Sequence, residues 1–201
     1  SKRHSQIKND ITTNETIDAF IKEILKFNKA HNIVGRSSKE EITLLDILDC
    51  ETILRHITPK QKVLDIGSGA GLPGLIIAIK QPQTQVIMSE KNKKKAYFIR
   101  KTIQTLQLTN ATILDKAITP KLITPNNFDV ITARALATAP AIINMAEHLL
   151  NKKNGKFLLM KGSTEKINEE VAQLDNNKYS YTIHKTNIKN SNKHILEINQ
   201  Q

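Results

Sequence analysis

Tryptophan is absent from this chain and cysteine occurs once, at Cys50. One thiol builds neither a disulfide framework nor a four-thiolate zinc site, which points to a reducing compartment. Aromatic residues make up 4% of the sequence, with no spaced Phe/Tyr set on one strand, so a stacking platform for single-stranded RNA is not expected. Long apolar runs are missing too. No window approaches the ~18 uncharged apolar residues of a membrane span, and Ser1 to Asp10 carry charge without an apolar stretch, so no signal peptide is visible. A soluble, cytoplasmic protein without membrane association is expected. No internal repeat and no Gly/Ser or Pro linker divides the 201 residues. At ~100–200 residues per domain one domain over 1–201 is favoured, with 1–58 as a helical N-terminal extension packed on it, and a monomer is expected.

Charge of one sign is plentiful. The net charge of +11 invites a polyanionic partner, because Lys and Arg at this density draw phosphate backbones through counterion release. Of the 30 basic residues 25 are Lys, and 28 Ile and 18 Asn accompany them. All three are favoured by A/T-rich codons, so base composition competes with RNA binding as the origin of the lysines.

The hydrophobic period changes along the chain. Ile17, Phe20, Ile21, Ile24 and Leu25 recur at helical spacing after Asn14, which is placed to cap, and Ile42, Leu45, Leu48 and Ile53 mark a second helical stretch. After Pro59 short β-rich runs alternate with helical ones: Val63 to Ile66, Leu72 to Lys80, Gln85 to Ser89, Lys91 to Leu106, Ala111 to Leu114, Phe128 to Thr132, Pro140 to Leu150, Lys156 to Lys161. This is the βαβ alternation of a doubly wound, mostly parallel α/β sheet. A helix near Thr164 to Leu174 and two strand-like runs, Tyr179 to His184 and His194 to Ile198, then predict an antiparallel hairpin at the end. In such sheets ligands bind outside the carboxyl ends of the strands, where strand order reverses.

The strand Val63 to Ile66 runs into Gly67-Ser68-Gly69-Ala70-Gly71-Leu72-Pro73-Gly74 and then an apolar helix. Glycines there let the backbone turn tightly and approach a ligand without a Cβ in the way. The spacing is G-x-G-x-G. A dinucleotide fingerprint needs glycine where Leu72 stands, and no Lys-Ser/Thr pair follows to make a phosphate loop. The next strand ends at Glu90, 23 residues after Gly67. An acid at that place can accept both ribose hydroxyls of an adenosine. A structural turn followed by a surface Glu is the alternative.

From Val63 to Gly74 the sequence resembles the class I S-adenosylmethionine-dependent methyltransferases, with Asp65 as the acid before the glycines. More of the chain narrows the likeness to the RsmG (GidB) family. The residues that carry it are Asn28 to Asn32, Ile47-Leu48-Asp49, Asp65 to Gly74, Glu90 with Lys94, Lys95, Phe98 and Arg100, Phe128 to Ala135, Met160-Lys161-Gly162, and Lys193-His194-Ile195. The resemblance implies a Rossmann-like class I methyltransferase fold and methylation of N7 of a guanine in 16S rRNA, as free rRNA or within the small ribosomal subunit, with S-adenosyl-L-methionine as methyl donor. It places Asp65, Gly67, Ser68, Gly69, Gly71, Leu72, Glu90, Lys91, Ala117, Ile118 and Arg134 at the cofactor, and Lys94, Lys95, Lys161 and Lys193 at the RNA. Where the family usually has Arg-Ala-Glu after its third strand, this chain has Lys116-Ala117-Ile118. Backbone contacts survive that change; a side-chain contact does not.

The residues also bear on the target. A pyrimidine C5 acceptor requires a cysteine nucleophile, and Cys50 lies far in sequence from the strand ends, where a small buried apolar role suits it. Methylation of exocyclic amines in related enzymes usually shows an Asn/Asp-Pro-Pro-aromatic loop after the fourth strand; here Thr132-Ala133-Arg134-Ala135 stands there. Guanine N7 is a bare lone pair with no proton to remove, so no catalytic base is expected. A cation against the ring would oppose the charge that forms, so Arg134 belongs at the cofactor carboxylate or an RNA phosphate, or in a structural ion pair at the sheet end. Lys91, Lys93, Lys94 and Lys95 open a helix, against its dipole, which suggests RNA phosphate as their ligand or else a plain solvated face. His31, His184 and His194 show no metal-ligand spacing, and no metal is expected. A small-molecule methyltransferase and a non-catalytic RNA-binding protein on the same fold are the alternative functions.

Overall fold

A computed structural model describes residues 2–122 and 127–201, with side chains from Thr12 onward. Seven strands form one sheet in the order β3-β2-β1-β4-β5-β7-β6. They are β1 (Lys62–Ile66), β2 (Gln85–Ser89), β3 (Ala111–Leu114), β4 (Val130–Arg134), β5 (Lys156–Lys161), β6 (Tyr179–Lys185) and β7 (His194–Gln200). The first five run parallel, and β7 is antiparallel to both β5 and β6. The predicted mostly parallel α/β sheet with a closing antiparallel hairpin is therefore the observed fold.

Period-two alternation sends each strand's side chains to opposite layers. Val63, Leu158, Met160 and Ile195 face one layer, which holds α1 (Lys2–His31), the broken helical stretch at 39–56, α4 (Gly74–Lys80) and α5 (Lys93–Thr105). Leu64, Ile66, Phe157, Leu159, Leu196 and Ile198 face the other, beneath α6 (Ala139–Ala146) and α7 (Thr164–Val171). Phe20, Ile21 and Ile24 of α1 are buried in the same apolar cluster as Leu75 and Ile76 of α4. At roughly 1.5–3 kcal/mol for each large side chain, this burial anchors the N-terminal segment to the sheet.

Two sequence expectations need correction here. Asn14 does not cap: α1 already runs through it from Lys2, and polar residues without apolar period gave no sign of the earlier turns. The second helical stretch is broken, with α2 (Lys39–Ile42), a π-helical turn at Thr43–Ile47, α3 (Leu48–Glu51) and a 3₁₀ turn at Leu54–His56. Asp46 lies in the π turn and Asp49 in α3 just after it, and both reach Arg134 at the end of β4. Strand order reverses between β1 and β4, so the loops after them open the crevice in which ligands of such sheets bind.

Candidate active site at the carboxyl ends of the parallel strands

The loop after β1 is held by backbone geometry that glycine alone takes readily. Gly67, Gly69 and Gly71 have φ of 66°, 60° and 86°. The N–H groups of Gly67 and Ser68 donate to the Ser89 carbonyl at 2.8 and 3.0 Å, tying the turn to the end of β2. Beneath it Asp65 is fully buried, and its Oδ2 accepts the Gly74 N–H at 2.9 Å, which fixes the start of α4. Burial pushes the Asp65 carboxyl up to about 7.

Glu90 closes the turn from the other side. Its Oε2 accepts the Gly69 N–H and its Oε1 the Asn92 N–H, each at 2.8 Å. An ionised carboxylate offers about four acceptor sites, so each oxygen keeps one for a ligand. Ser89 Oγ donates to the Lys116 carbonyl at 2.6 Å, which hangs Ala117 and Ile118 over the same space. The result is a cavity of about 270 Å³ lined by Gly67, Gly69, Glu90, Lys91, Ala117 and Ile118, together with Lys95, Leu136 and Met145. A Cβ at Gly69 would meet nothing within 4 Å, whereas one at Gly67 would come within 2.7 Å of Leu136.

Asp65, Ser68, Gly71 and Leu72 do not line this cavity; they are buried beneath the turn and shape it. Lys95, expected at the RNA, does line it. Lys91 precedes the helix instead of opening it, because Asn92 caps α5 by accepting the Lys95 N–H at 3.1 Å. Lys93 pairs with Asp115 at 3.1 Å, while Lys94 is exposed with no ion pair among the described residues.

Arg134, expected at the cofactor, lines a second cavity of about 290 Å³ with Asp49, Lys161, Lys193 and His194. Its guanidinium pairs with Asp46 Oδ1 at 2.7 Å and with Asp49 Oδ2 at 3.2 Å, and donates to the Leu45 carbonyl at 3.0 Å. Burial works against the Arg134 charge, but its neighbours, Cys50 and the Asp46 and Asp49 carboxylates, hold it above its ordinary value. Arg36 joins Asp46 at 3.3 Å, and Lys193 joins Asp49 at 2.9 Å. The Lys161 ammonium is occupied by Glu170 and the Ala137 carbonyl, each at 2.8 Å. Cys50 is fully buried, and burial pushes its thiol far above the usual range, away from thiolate chemistry.

The two cavities meet at Arg134-Ala135-Leu136: Arg134 and Ala135 line the second, Leu136 the first. Ala135 has φ of 52°, a left-handed conformation that costs a non-glycine residue about 1–2 kcal/mol. Sequence reasoning missed Asp46, Asp49 and Arg36 as a charged wall, and Leu136 and Met145 as apolar lining. Asp46 and Asp49 stand three apart in a helical stretch, on one face, which was the available signal. The geometry suits a nucleoside with a free ribose in the first cavity and a planar polar group or phosphate in the second.

The profile of the family described as rRNA small subunit methyltransferase G matches residues 13–198. A Ribosomal RNA small subunit methyltransferase G from Helicobacter hepaticus is 39% identical over 142 residues, 70% of this chain and 76% of that protein. One from a Psychrobacter species is 35% identical over 163 residues, 79% of this chain and 71% of that protein. Among solved structures, an rRNA methylase from Streptococcus thermophilus superposes with a TM-score of 0.54 at 14% identity, covering 76% of this chain and 94% of that one. A precorrin-6y C5,15-methyltransferase from Geobacter metallireducens gives a TM-score of 0.57 at 17% identity, covering 84% and 92%. At such identities these structures speak for the fold.

Proposed function

The chain belongs to the rRNA small subunit methyltransferase G family, and we propose that it methylates N7 of a guanine in 16S rRNA, with S-adenosylmethionine in the cavity beside Glu90 and the RNA entering at the cavity beside Arg134. The observation that carries this reading is the pairing of the two cavities across Arg134, at the end of β4, and Ala135 and Leu136 after it, at the strand switch point. S-adenosylmethionine supplies an electrophilic methyl on a sulfonium.

The chain's residues supply binding and alignment. Glu90 keeps one acceptor site per oxygen, enough for two ribose hydroxyls, while Ala117, Ile118 and Leu136 offer apolar surface to the adenine. Ile118, in place of the family's usual Glu, leaves adenine contacts there to backbone and packing. Guanine N7 carries no proton, so the second cavity needs no base. Arg134 presents no bare cation to a purine gaining positive charge, because Asp46 and Asp49 neutralise it. Alignment of nucleophile, methyl carbon and sulfur then accounts for much of the acceleration. RNA affinity is assigned to the exposed lysines at the start of α5, with Lys193 at the cavity mouth.

Calorimetric titration with S-adenosylhomocysteine tests the cofactor assignment. Glu90→Ala removes the ribose anchor, a charge-assisted hydrogen bond worth about 1.5–3 kcal/mol, so affinity should fall roughly 10- to 150-fold. Wild-type affinity in this variant would place the cofactor elsewhere.

A further inference from the structure

Away from both cavities, the fold gathers a group that sequence spacing does not announce. His56 ends the 3₁₀ turn before β1, His184 lies on β6 and Glu197 on β7. In the β6–β7 register His184 faces Ile195 and Thr182 faces Glu197, so His184 and Glu197 are diagonal neighbours on the sheet face that meets the N-terminal segment. His184 Nε2 and Glu197 Oε2 are 3.0 Å apart, and the His56 and His184 ring centroids lie 4.4 Å apart with the planes tilted by 37°. One ligand atom from each residue lies within 4.8 Å of the other two, and all three residues are half-buried. No other group of three such side chains is this close among the described residues.

We propose that His56, His184 and Glu197 form a binding site for a divalent transition metal ion of the zinc class. Two imidazoles and one carboxylate are a recurrent three-ligand zinc set, with water in the fourth position. Bonds of ~2.0–2.1 Å in a tetrahedron put donors about 3.3 Å apart, close to the 3.0 Å already between His184 and Glu197. The His56 ring nitrogen, now within 4.8 Å of the other two ligand atoms, would move to about 3.3 Å from them to complete the set. Glu197 is oriented for this: its Oε1 is held by Asn199 at 3.4 Å and Lys156 at 3.8 Å, leaving Oε2 to the metal. Such outer hydrogen bonds orient metal-ligating carboxylates generally. The sole cysteine is buried and does not compete, so borderline nitrogen-and-oxygen chemistry decides the metal.

The bound ion would clamp the segment before β1 to the C-terminal hairpin. These two segments also carry Asp49 and Lys193, the ion pair at the rim of the second cavity. The site is structural and independent of the methyl-transfer reading.

The test is calorimetric titration of the untagged, chelator-treated full chain with Zn²⁺ alone, paired with thermal melts. One equivalent should bind saturably, and Zn²⁺ at 100 times its dissociation constant should raise the melting temperature by roughly 5–10 °C. Co²⁺ in its place should show the visible absorption of a tetrahedral ion. His184→Ala and His56→Phe should each weaken binding about tenfold or more. His56→Phe keeps the ring packing, so its loss of binding with an unchanged metal-free melt reports the missing ligand and not misfolding. Absence of saturable one-to-one binding in the wild-type chain would overturn the proposal, as would equal affinity in wild type and both variants.

Discussion

At the residue scale, two glycines of one turn separate structural from ligand-facing roles. A Cβ at Gly71 would come within 2.3 Å of the Leu75 side chain at a φ of 86°, whereas the space around a Gly69 Cβ is open. Gly71→Ala combines backbone strain with overpacking and should cost about 2–4 kcal/mol, lowering the melting temperature roughly 5–15 °C. Gly69→Ala should lose about half as much stability or less, and should weaken S-adenosylhomocysteine binding in calorimetry. Equal stability losses would place both glycines in the scaffold. Asp65 makes a pH prediction. Its folded pKa, raised to about 7 by burial, exceeds the unfolded value, so its contribution is fully present below about pH 4 and is lost as pH rises to about 7. Asp65→Asn keeps an acceptor for the Gly74 N–H without the charge. Melts across pH 4 to 8 should show a flatter profile and a gain at pH 8; an unaltered profile would mean the carboxyl titrates normally. The position of Glu90 beside the glycine turn was legible in the sequence, whereas Asp65, expected at the cofactor, lies buried beneath the turn and holds the Gly74 N–H. Asp46 and Asp49 were readable only as neighbours on one helix face; their role was not, since their partner Arg134 is remote in sequence.

At the element scale, α5 opens on Lys93, Lys94 and Lys95 with no acid in its first turn. Cations at a helix N-terminus are unfavourable by ~0.3–1 kcal/mol each. Lys94→Glu should therefore raise stability by about that amount while reducing RNA affinity and flattening its salt slope by roughly 0.7–0.9. S-adenosylhomocysteine affinity should stay within about twofold, because Lys94 does not line the cofactor cavity. Melts and filter binding at several salt concentrations check both signs together. An unchanged RNA salt slope would move the RNA surface off α5. The strands were readable to within two residues of their ends, because buried parallel strands bounded by turn residues carry a strong signal. The segment at 39–56 was readable as helical but not as broken: the π turn shifts the buried face, so Ile42, Ile47, Cys50 and Ile53 are buried while Leu45 and Leu48, expected on that face, are exposed.

At the scale of the whole molecule, the strand order brings the loops after β1, β2, β3 and β4 to one edge. Four short segments, far apart in the chain, thereby share two cavities. The mostly parallel sheet followed from alternating periods in the sequence; the strand order, which puts the switch point between β1 and β4, did not. The partition into two cavities did not: it depends on Ala135 taking a left-handed conformation and on Arg134 turning toward the N-terminal segment. Neither event leaves a mark in hydrophobic pattern. The +11 charge fits an RNA partner, and no described helix is long and apolar enough to cross a membrane.

The most direct test of the central claim is chemical identification of the methylated nucleoside. Small ribosomal subunits from cells lacking the protein are incubated with it and methyl-labelled S-adenosylmethionine, and the 16S rRNA is then digested to nucleosides. Label should appear in 7-methylguanosine alone and vanish with Glu90→Ala. Label in another nucleoside, in a small metabolite, or in none would contradict it.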